Sequence, residues 1–215
     1  MKRTVFFIAY FLTPVIPAFF YTRATSSGID SYSVSVALGA GAFILLCNQF
    51  ILASRPGWVV TALGLKSLLA FHGTMPFFIL AMAGTHRVLK AGVGFPMNST
   101  QAILGSLSFL VFVLAAIFAV VFLATINLPV ALKLREFRKW AQDRFGLSYK
   151  LTRTFHNVTV AAGMAIMAHV LLASSSDFSA NPAGAGWMVA WFALSLGFYL
   201  RYRLHGRKPA ARTSA

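Results

Sequence analysis

Acidic residues are scarce in this chain. Its 215 residues include 4 Asp and Glu against 19 Lys and Arg, and charged residues make up 11% of the total. Soluble domains carry about 25% charged residues, so this chain has too few charges to cover a soluble globular surface. The composition excludes a soluble enzyme and a disordered tail. The single cysteine, Cys47, excludes an intrachain disulfide and with it a disulfide scaffold.

Motifs of soluble catalysis are missing as well. The sequence has no CxxC, no paired carboxylates within an apolar stretch and no region long enough for a flavin or nicotinamide domain. The pairs Gly92/Gly94 and Gly184/Gly186 lack the strand–turn–helix context of a phosphate-binding loop and predict turns. A formal charge of +15 would suggest nucleic acid in a soluble protein. In an apolar chain it indicates cationic loops at a membrane instead, and no nucleic-acid partner is expected.

Apolar residues are abundant, at 58% of the chain. About 20 of them in a row cross a bilayer as a helix, and six stretches qualify. They predict an all-α membrane protein forming a single domain, 1–215, with six transmembrane helices. The predicted helices are 4–22, 32–54, 64–88, 102–126, 152–175 and 185–201, with a basic loop at 127–150 and a basic tail at 202–215. Pro14 and Pro17 weaken the first span, and its cleavage as a signal peptide would leave five.

Cationic side chains divide unevenly between the two predicted sides. Sixteen of the 19 lie on the side that holds both termini, and three lie on the other. Because cationic loops stay in the cytoplasm, we expect an integral membrane protein with both termini inside. The short chain, without a region for a dehydrogenase domain, favours a bacterial inner membrane. The basic aromatic segment 132–145 predicts an interfacial helix on membrane lipid. Its alternative is a docking face for an acidic soluble partner.

Four of the five histidines fall in two predicted spans. The third span holds His72 and His86, and the fifth holds His156 and His169, whereas His205 lies in the basic tail and is interpreted as solvated. An ionisable residue at membrane depth is costly and indicates function. A lone buried histidine is more often a packing residue, but two pairs on two spans are harder to explain by packing.

The spacing of these histidines predicts two facing pairs. Separations of 14 and 13 residues correspond to rises of about 21 and 20 Å. Both spans run in the same direction, so His72 can meet His156 near the cytoplasmic side and His86 can meet His169 near the outer side. Each pair suits a flat metal macrocycle, and two stacked b-type haems need four such imidazoles. A zinc site needs ligands within ~2 Å of one ion, which this spacing prevents.

An alternative function and a geometric difficulty bear on this prediction. A proton relay would normally include intramembrane carboxylates, and none is present. On a straight helix His156 and His169 lie about 140° apart, so either Gly163 permits a kink or the two rings approach the helix from different sides.

Cations near the predicted ligands are candidate partners for haem propionates. Arg87, Arg153 and Lys66 are the predicted cofactor-binding residues, and Lys90 follows Arg87 by one turn. Each of them can also be explained as a snorkelling side chain that ends a span.

The four-histidine pattern resembles the transmembrane domain of the ferric reductase and NADPH oxidase family. The segment Arg55-Pro56-Gly57-Trp58 is also similar to the loop before that family's first haem helix, and the resemblance covers about residues 34–200. It implies two b haems, the inner one held by His72 and His156 and the outer one by His86 and His169. Electrons would pass from inside to outside.

The resemblance also implies partners. Family members often continue into a cytoplasmic FAD and NAD(P)H domain, whereas only residues 201–215 follow the last span here. We therefore expect a separate reductase as electron donor, with flavin and NAD(P)H on that partner. The outer acceptor could be a ferric chelate, oxygen, a quinone or a periplasmic protein.

Two alternatives stay open. The chain could be a haem-binding electron-transfer subunit for a partner reductase, similar to the membrane partner of periplasmic methionine sulfoxide reductase. It could also be a haem-free transport or structural subunit, which predicts a colourless protein. No catalytic side chain is expected in the main interpretation, because iron with two imidazoles has no open position.

Overall fold

The computed structural model describes residues 2–25, 28–123, 131–146 and 157–206, and every element in them is helical. The α-helices are α1 (Lys2–Leu12), α2 (Val15–Thr25), α3 (Ser31–Ser54), α4 (Gly57–Leu63), α5 (Leu65–Gly92), α6 (Thr100–Phe118), α7 (Ala131–Phe145), α8 (Val158–Leu171) and α9 (Pro182–His205). A π-helical turn, Ala119–Leu123, continues α6, and a 3-10 turn, Ser174–Ser176, precedes α9.

Several of these helices fit a multi-pass membrane protein. Five stretches of the described chain are long and apolar enough to cross a bilayer: Lys2–Thr25, Ser31–Ser54, Leu65–Gly92, Thr100–Val121 and Pro182–His205. The predicted fifth span, 152–175, corresponds to α8, an apolar helix of 14 residues whose preceding segment, 147–156, lies outside the described residues. The all-helical prediction is confirmed, and five of the six predicted spans have a helix of sufficient length.

The central element is α3, which is buried along most of its length and packs against α2, α5 and α9. Its start is fixed by a reciprocal cap. The Ser33 N–H donates to the Asp30 carboxylate at 2.6 Å, and the Asp30 N–H donates to Ser33 Oγ at 2.9 Å. The hydrogen bond from the Ser33 backbone also lowers the pKa of Asp30. At its other end Arg55 adopts the left-handed conformation, with φ 49°.

Two antiparallel helix pairs frame the interior. The first pair is α3 with α5, and the second is α6 with α8. Helices α3 and α6 begin at the end of the bundle where α5 and α8 finish. We call this the His86 end, after the histidine of α5 that lies there, and the opposite end the Arg55 end. Contacts between α5 and α6 are few, so a space remains between the two pairs.

The first span is broken at Thr13–Pro14, between α1 and α2. Pro14 has no N–H, so the Tyr10 carbonyl loses its donor four residues on. Two side chains replace that donor. Asn48 Nδ2 donates to the Tyr10 carbonyl at 3.2 Å, and Thr13 Oγ1 donates to the same carbonyl at 3.0 Å. The Asn48 Oδ1 in turn accepts from Trp191 Nε1 at 2.8 Å. Asn48 thus ties α1 and α9 to the central helix.

Replacing Asn48 with leucine should therefore destabilise the fold. The change keeps the volume but leaves the Tyr10 carbonyl with one donor and the Trp191 N–H with none. Each buried group left without a partner costs about 1–3 kcal/mol. We expect a lower melting temperature in detergent than for Thr85→Ala, because Thr85 is exposed and bonds only within its own helix. Equal melting temperatures for the two variants would contradict this role.

Other elements differ from the sequence-based expectation in their bounds. Helix α4 lies in what was predicted as a loop, and it buries Val59 and Leu63 against its neighbours. The helix predicted at 132–145 is present as α7, within the predicted basic loop 127–150. Arg138 of α7 donates from Nε to the Val121 carbonyl at 2.9 Å. Since π-helical geometry displaces carbonyls from their usual partners, this bond attaches α7 to the π turn.

Candidate functional site

His86 lies near the end of α5 and packs against the start of α3. Its Nδ1 is 2.8 Å from the Ser35 carbonyl oxygen, and Ser35 Oγ donates to the His86 carbonyl at 3.2 Å. The imidazole covers Gly39, where an added Cβ would lie 2.8 Å from Nδ1. The Ser35 carbonyl is four residues before Gly39, so the absence of a side chain there gives the ring access to that carbonyl.

His169 repeats this arrangement on the second helix pair. It lies near the end of α8, and its Nδ1 is 2.7 Å from the Gln101 carbonyl oxygen of α6. The ring covers Gly105, where an added Cβ would lie 2.9 Å from Nδ1 and Cε1. Gln101 is again four residues before the glycine. Two helix pairs therefore each present one imidazole, held by a backbone carbonyl and seated on a glycine.

The two rings face each other across the space between the pairs. Their centroids are 6.3 Å apart and their planes are perpendicular, at 89°. A backbone carbonyl accepts only from a protonated nitrogen, so each bond places the proton on Nδ1 and leaves Nε2 as the basic nitrogen. Two imidazoles bound to opposite sides of one metal through bonds of about 2.0–2.1 Å would place their centroids about 6 Å apart. The observed separation matches that value.

Two imidazoles are too few to hold a metal ion by themselves. Within the described residues no group of three or more His, Cys, Asp or Glu side chains comes together. His86 and His169 could supply two ligands to a metal group that brings its other ligands with it, and histidine is a common ligand of haem iron.

A cavity of about 1250 Å³ connects this position with the Arg55 end. It is lined by His72, His86 and His169, and by the phenylalanines Phe77, Phe109 and Phe112. Pockets for one drug-sized ligand measure about 300–1,000 Å³, so this volume suits something larger. His72 is half-buried on α5 and lines the same cavity as His86. Its predicted partner His156 lies outside the described residues.

Cations line both ends of the cavity. At the His86 end are Arg87 and Lys90, and at the Arg55 end are Arg55 and Lys66. The Arg87 guanidinium donates to the Ser106 hydroxyl, so it links α5 to α6 across the space between the helix pairs. Arg153, another predicted cofactor-binding residue, lies outside the described residues.

Gly39 and Gly105, with the carbonyls of Ser35 and Gln101, were not singled out from the sequence. The available signal was a glycine within three turns of the start of the second and fourth spans, each four residues after a polar residue. Gly73, by contrast, lines the cavity with open space around it. Gly163 receives the Phe50 ring, with an added Cβ 2.8 Å from Cζ.

In comparisons with known proteins, no protein-family model, curated protein or solved structure matches this chain.

Proposed function

We propose that this protein transfers electrons across a membrane through two b-type haems, from a cytoplasmic donor to an outer acceptor, as in ferric reductases. His86 and His169 would hold the outer haem, and His72 and His156 the inner one. The observation that carries the proposal is the pair of perpendicular imidazoles at 6.3 Å, each with Nδ1 on a backbone carbonyl.

The hydrogen bonds to Nδ1 are what favour a ligand role. A metal-binding histidine commonly donates its other ring N–H to a carbonyl, which fixes the tautomer and the ring orientation. Ser35 and Gln101 supply that carbonyl to His86 and His169. An edge-to-face contact between two rings has this separation and angle as well, so it is the carbonyl bond to each Nδ1, repeated on the two helix pairs, that favours a ligand role.

Bound between two imidazoles, a haem would supply reversible one-electron chemistry at an iron without an open position. The chain's own residues would do the rest. Helices α3 and α6 fix the two ring orientations, and the phenylalanines that line the cavity exclude water. Arg87 and Lys90 at one end, and Lys66 and Arg153 at the other, are the proposed partners for anionic propionates.

The proposed orientation places the His86 end outside and both termini inside. It rests on six spans, with α8 as part of the fifth, and on the 16 Lys and Arg on the proposed cytoplasmic side against 3 outside. We propose a bacterial inner membrane as the location. A separate flavin- and NAD(P)H-dependent reductase is the proposed donor, and membrane lipid is the proposed contact of α7.

The test starts with the full chain purified in detergent. We expect a coloured protein with about two b haems per chain, each with two axial imidazoles. In sealed vesicles carrying a reductant inside, a membrane-impermeant ferric chelate outside should be reduced. Vesicles with a His86→Ala, His169→Ala double variant are the control, and they should lose this reduction. A colourless protein would contradict the proposal and favour a haem-free subunit.

The same vesicles separate the two electron-transfer interpretations. Reduction of the ferric chelate with no other protein present supports a reductase-like role. If the haems are present and become reduced but the chelate does not, the acceptor is a specific partner, and the chain is an electron-transfer subunit.

A further inference from the structure

Lys90 is a buried cation at the His86 end. Only 9% of its surface is exposed, whereas lysine is almost never this buried unless it is paired. Its Nζ lies 3.5 Å from the centroid of the Tyr32 ring and 5.2 Å from that of Phe95. The aromatic faces offset part of the cost of removing the ammonium from water. They leave its positive charge in place.

No carboxylate neutralises this charge. The chain has four acidic residues, Asp30, Glu136, Asp143 and Asp177, and all four lie in described segments and are exposed. Asp30 caps α3, and Asp177 accepts from the N–H and hydroxyl of Ser179. Among the described residues no Asp or Glu side chain pairs with Lys90, which forms a side-chain hydrogen bond with Tyr32.

The position of Lys90 links it to the histidine pair. It follows His86 by four residues on α5, so it lies one helical turn, about 6 Å, farther along the same face. Lys90, His86 and His169 line the same cavity. A charge this close to the histidine pair and this shielded from water interacts strongly with a group bound there, because a low dielectric constant weakens the electrostatic interaction little.

We propose that the buried charge of Lys90 raises the reduction potential of the haem held by His86 and His169, and so favours electron flow toward the outer side. The inference rests on the proposed function. Adding an electron lowers the charge of the iron group by one, and a nearby cation stabilises the reduced state. The direction of the effect is the same if a propionate lies between them, because removing the cation then leaves that carboxylate unbalanced.

The cations described at the opposite end differ in burial. Arg55 is half-buried and Lys66 is exposed. Water and salt screen exposed charges over about 8–10 Å, so they would shift the inner potential less. This asymmetry gives the two proposed haem sites different potentials and gives the chain a direction.

The experiment is a spectroelectrochemical titration of the purified full-length protein. In the wild type two one-electron components are expected. In Lys90→Met the reduced-to-oxidised ratio of one component should fall at least about tenfold, which lowers its midpoint potential by about 59 mV for one electron. In Lys90→Arg that ratio should stay within about threefold of the wild-type value. Lys139→Met, at an exposed lysine of α7 outside the cavity, is the control, and it should leave that component unchanged. A His72→Ala background, which keeps only the outer haem, would assign the component that shifts.

The outcomes are distinguishable. Wild-type protein without haem would contradict the proposed function itself. Full haem content in Lys90→Met with both midpoints unchanged would overturn only the role of Lys90. An equal shift of both components would also overturn it, because it would indicate a general change in packing. If His72→Ala does not fold, the two-component fit of the Lys90 variants still decides the question.

Discussion

Replacing His86 or His169 with alanine is expected to remove one of the two proposed haems and to leave the other. The two rings are the proposed axial ligands of one haem, and their centroids lie 6.3 Å apart. The double variant should lose no more haem than either single variant, because both residues are proposed to hold the same group. Haem content per chain, measured by the pyridine haemochrome method, is the direct readout.

The inner histidines make this test discriminating. His72→Ala should remove the other haem, and combining it with His86→Ala should leave the protein colourless. His205→Ala is the matched control. His205 is exposed at the end of α9 and its ring contacts only the Arg201 carbonyl of its own helix. If all of the variants at the four proposed ligands retained full haem content, the ligand assignment would be wrong.

Apolar runs predicted the long helices well because helix length in a membrane follows from bilayer thickness. Bounds were less predictable. Pro14 signalled a break in the first span, but the break depends on Asn48, which replaces the donor that proline lacks. A side chain 34 positions away along the chain cannot be identified from the local pattern. Helix α4 was missed because seven residues between two spans give too little periodicity.

The histidine pair could be predicted from the sequence because the distance between two residues along a helix axis depends only on the number of residues between them. Similar spacings, of 14 and 13 residues, on parallel spans predicted that His86 and His169 would lie at about the same level, and the structure brings their rings together. The glycines and carbonyls that hold the two rings could not be predicted from the sequence. Glycine is common in membrane helices, and its meaning depends on what lies opposite. Gly39 and Gly73 look alike in the sequence, yet a ring covers the first and open space surrounds the second.

That difference predicts the second large effect. In Gly39→Ala the new methyl group would lie 2.8 Å from His86 Nδ1, and in Gly105→Ala it would lie 2.9 Å from the His169 ring. Each ring would have to shift by several tenths of an ångström, which strains its bond to the Ser35 or Gln101 carbonyl. Overpacking of this kind costs about 1–3 kcal/mol. Here the cost falls on the orientation of a proposed ligand, so each variant should bind the outer haem weakly or not at all.

The electron paramagnetic resonance spectrum of the ferric protein makes this prediction more specific. Perpendicular imidazole planes leave two iron orbitals nearly equal in energy and give a signal with a large maximum g value, whereas parallel planes separate those orbitals. The 89° angle predicts the first kind of signal for the outer site. Any haem retained by Gly39→Ala or Gly105→Ala should show an altered signal, because one ring has turned.

The matched controls are Gly186→Ala and Gly197→Ala on α9, whose added methyl groups would meet nothing within 4 Å. Alanine also favours a helix over glycine by up to about 1 kcal/mol, so these controls should be as stable as the wild type or more so, with full haem content and an unchanged spectrum. If all four glycine variants behaved alike, the two imidazoles would not depend on the glycines beneath them. Helices α3 and α6 would then not be what holds the two rings at the separation that suits a bound macrocycle.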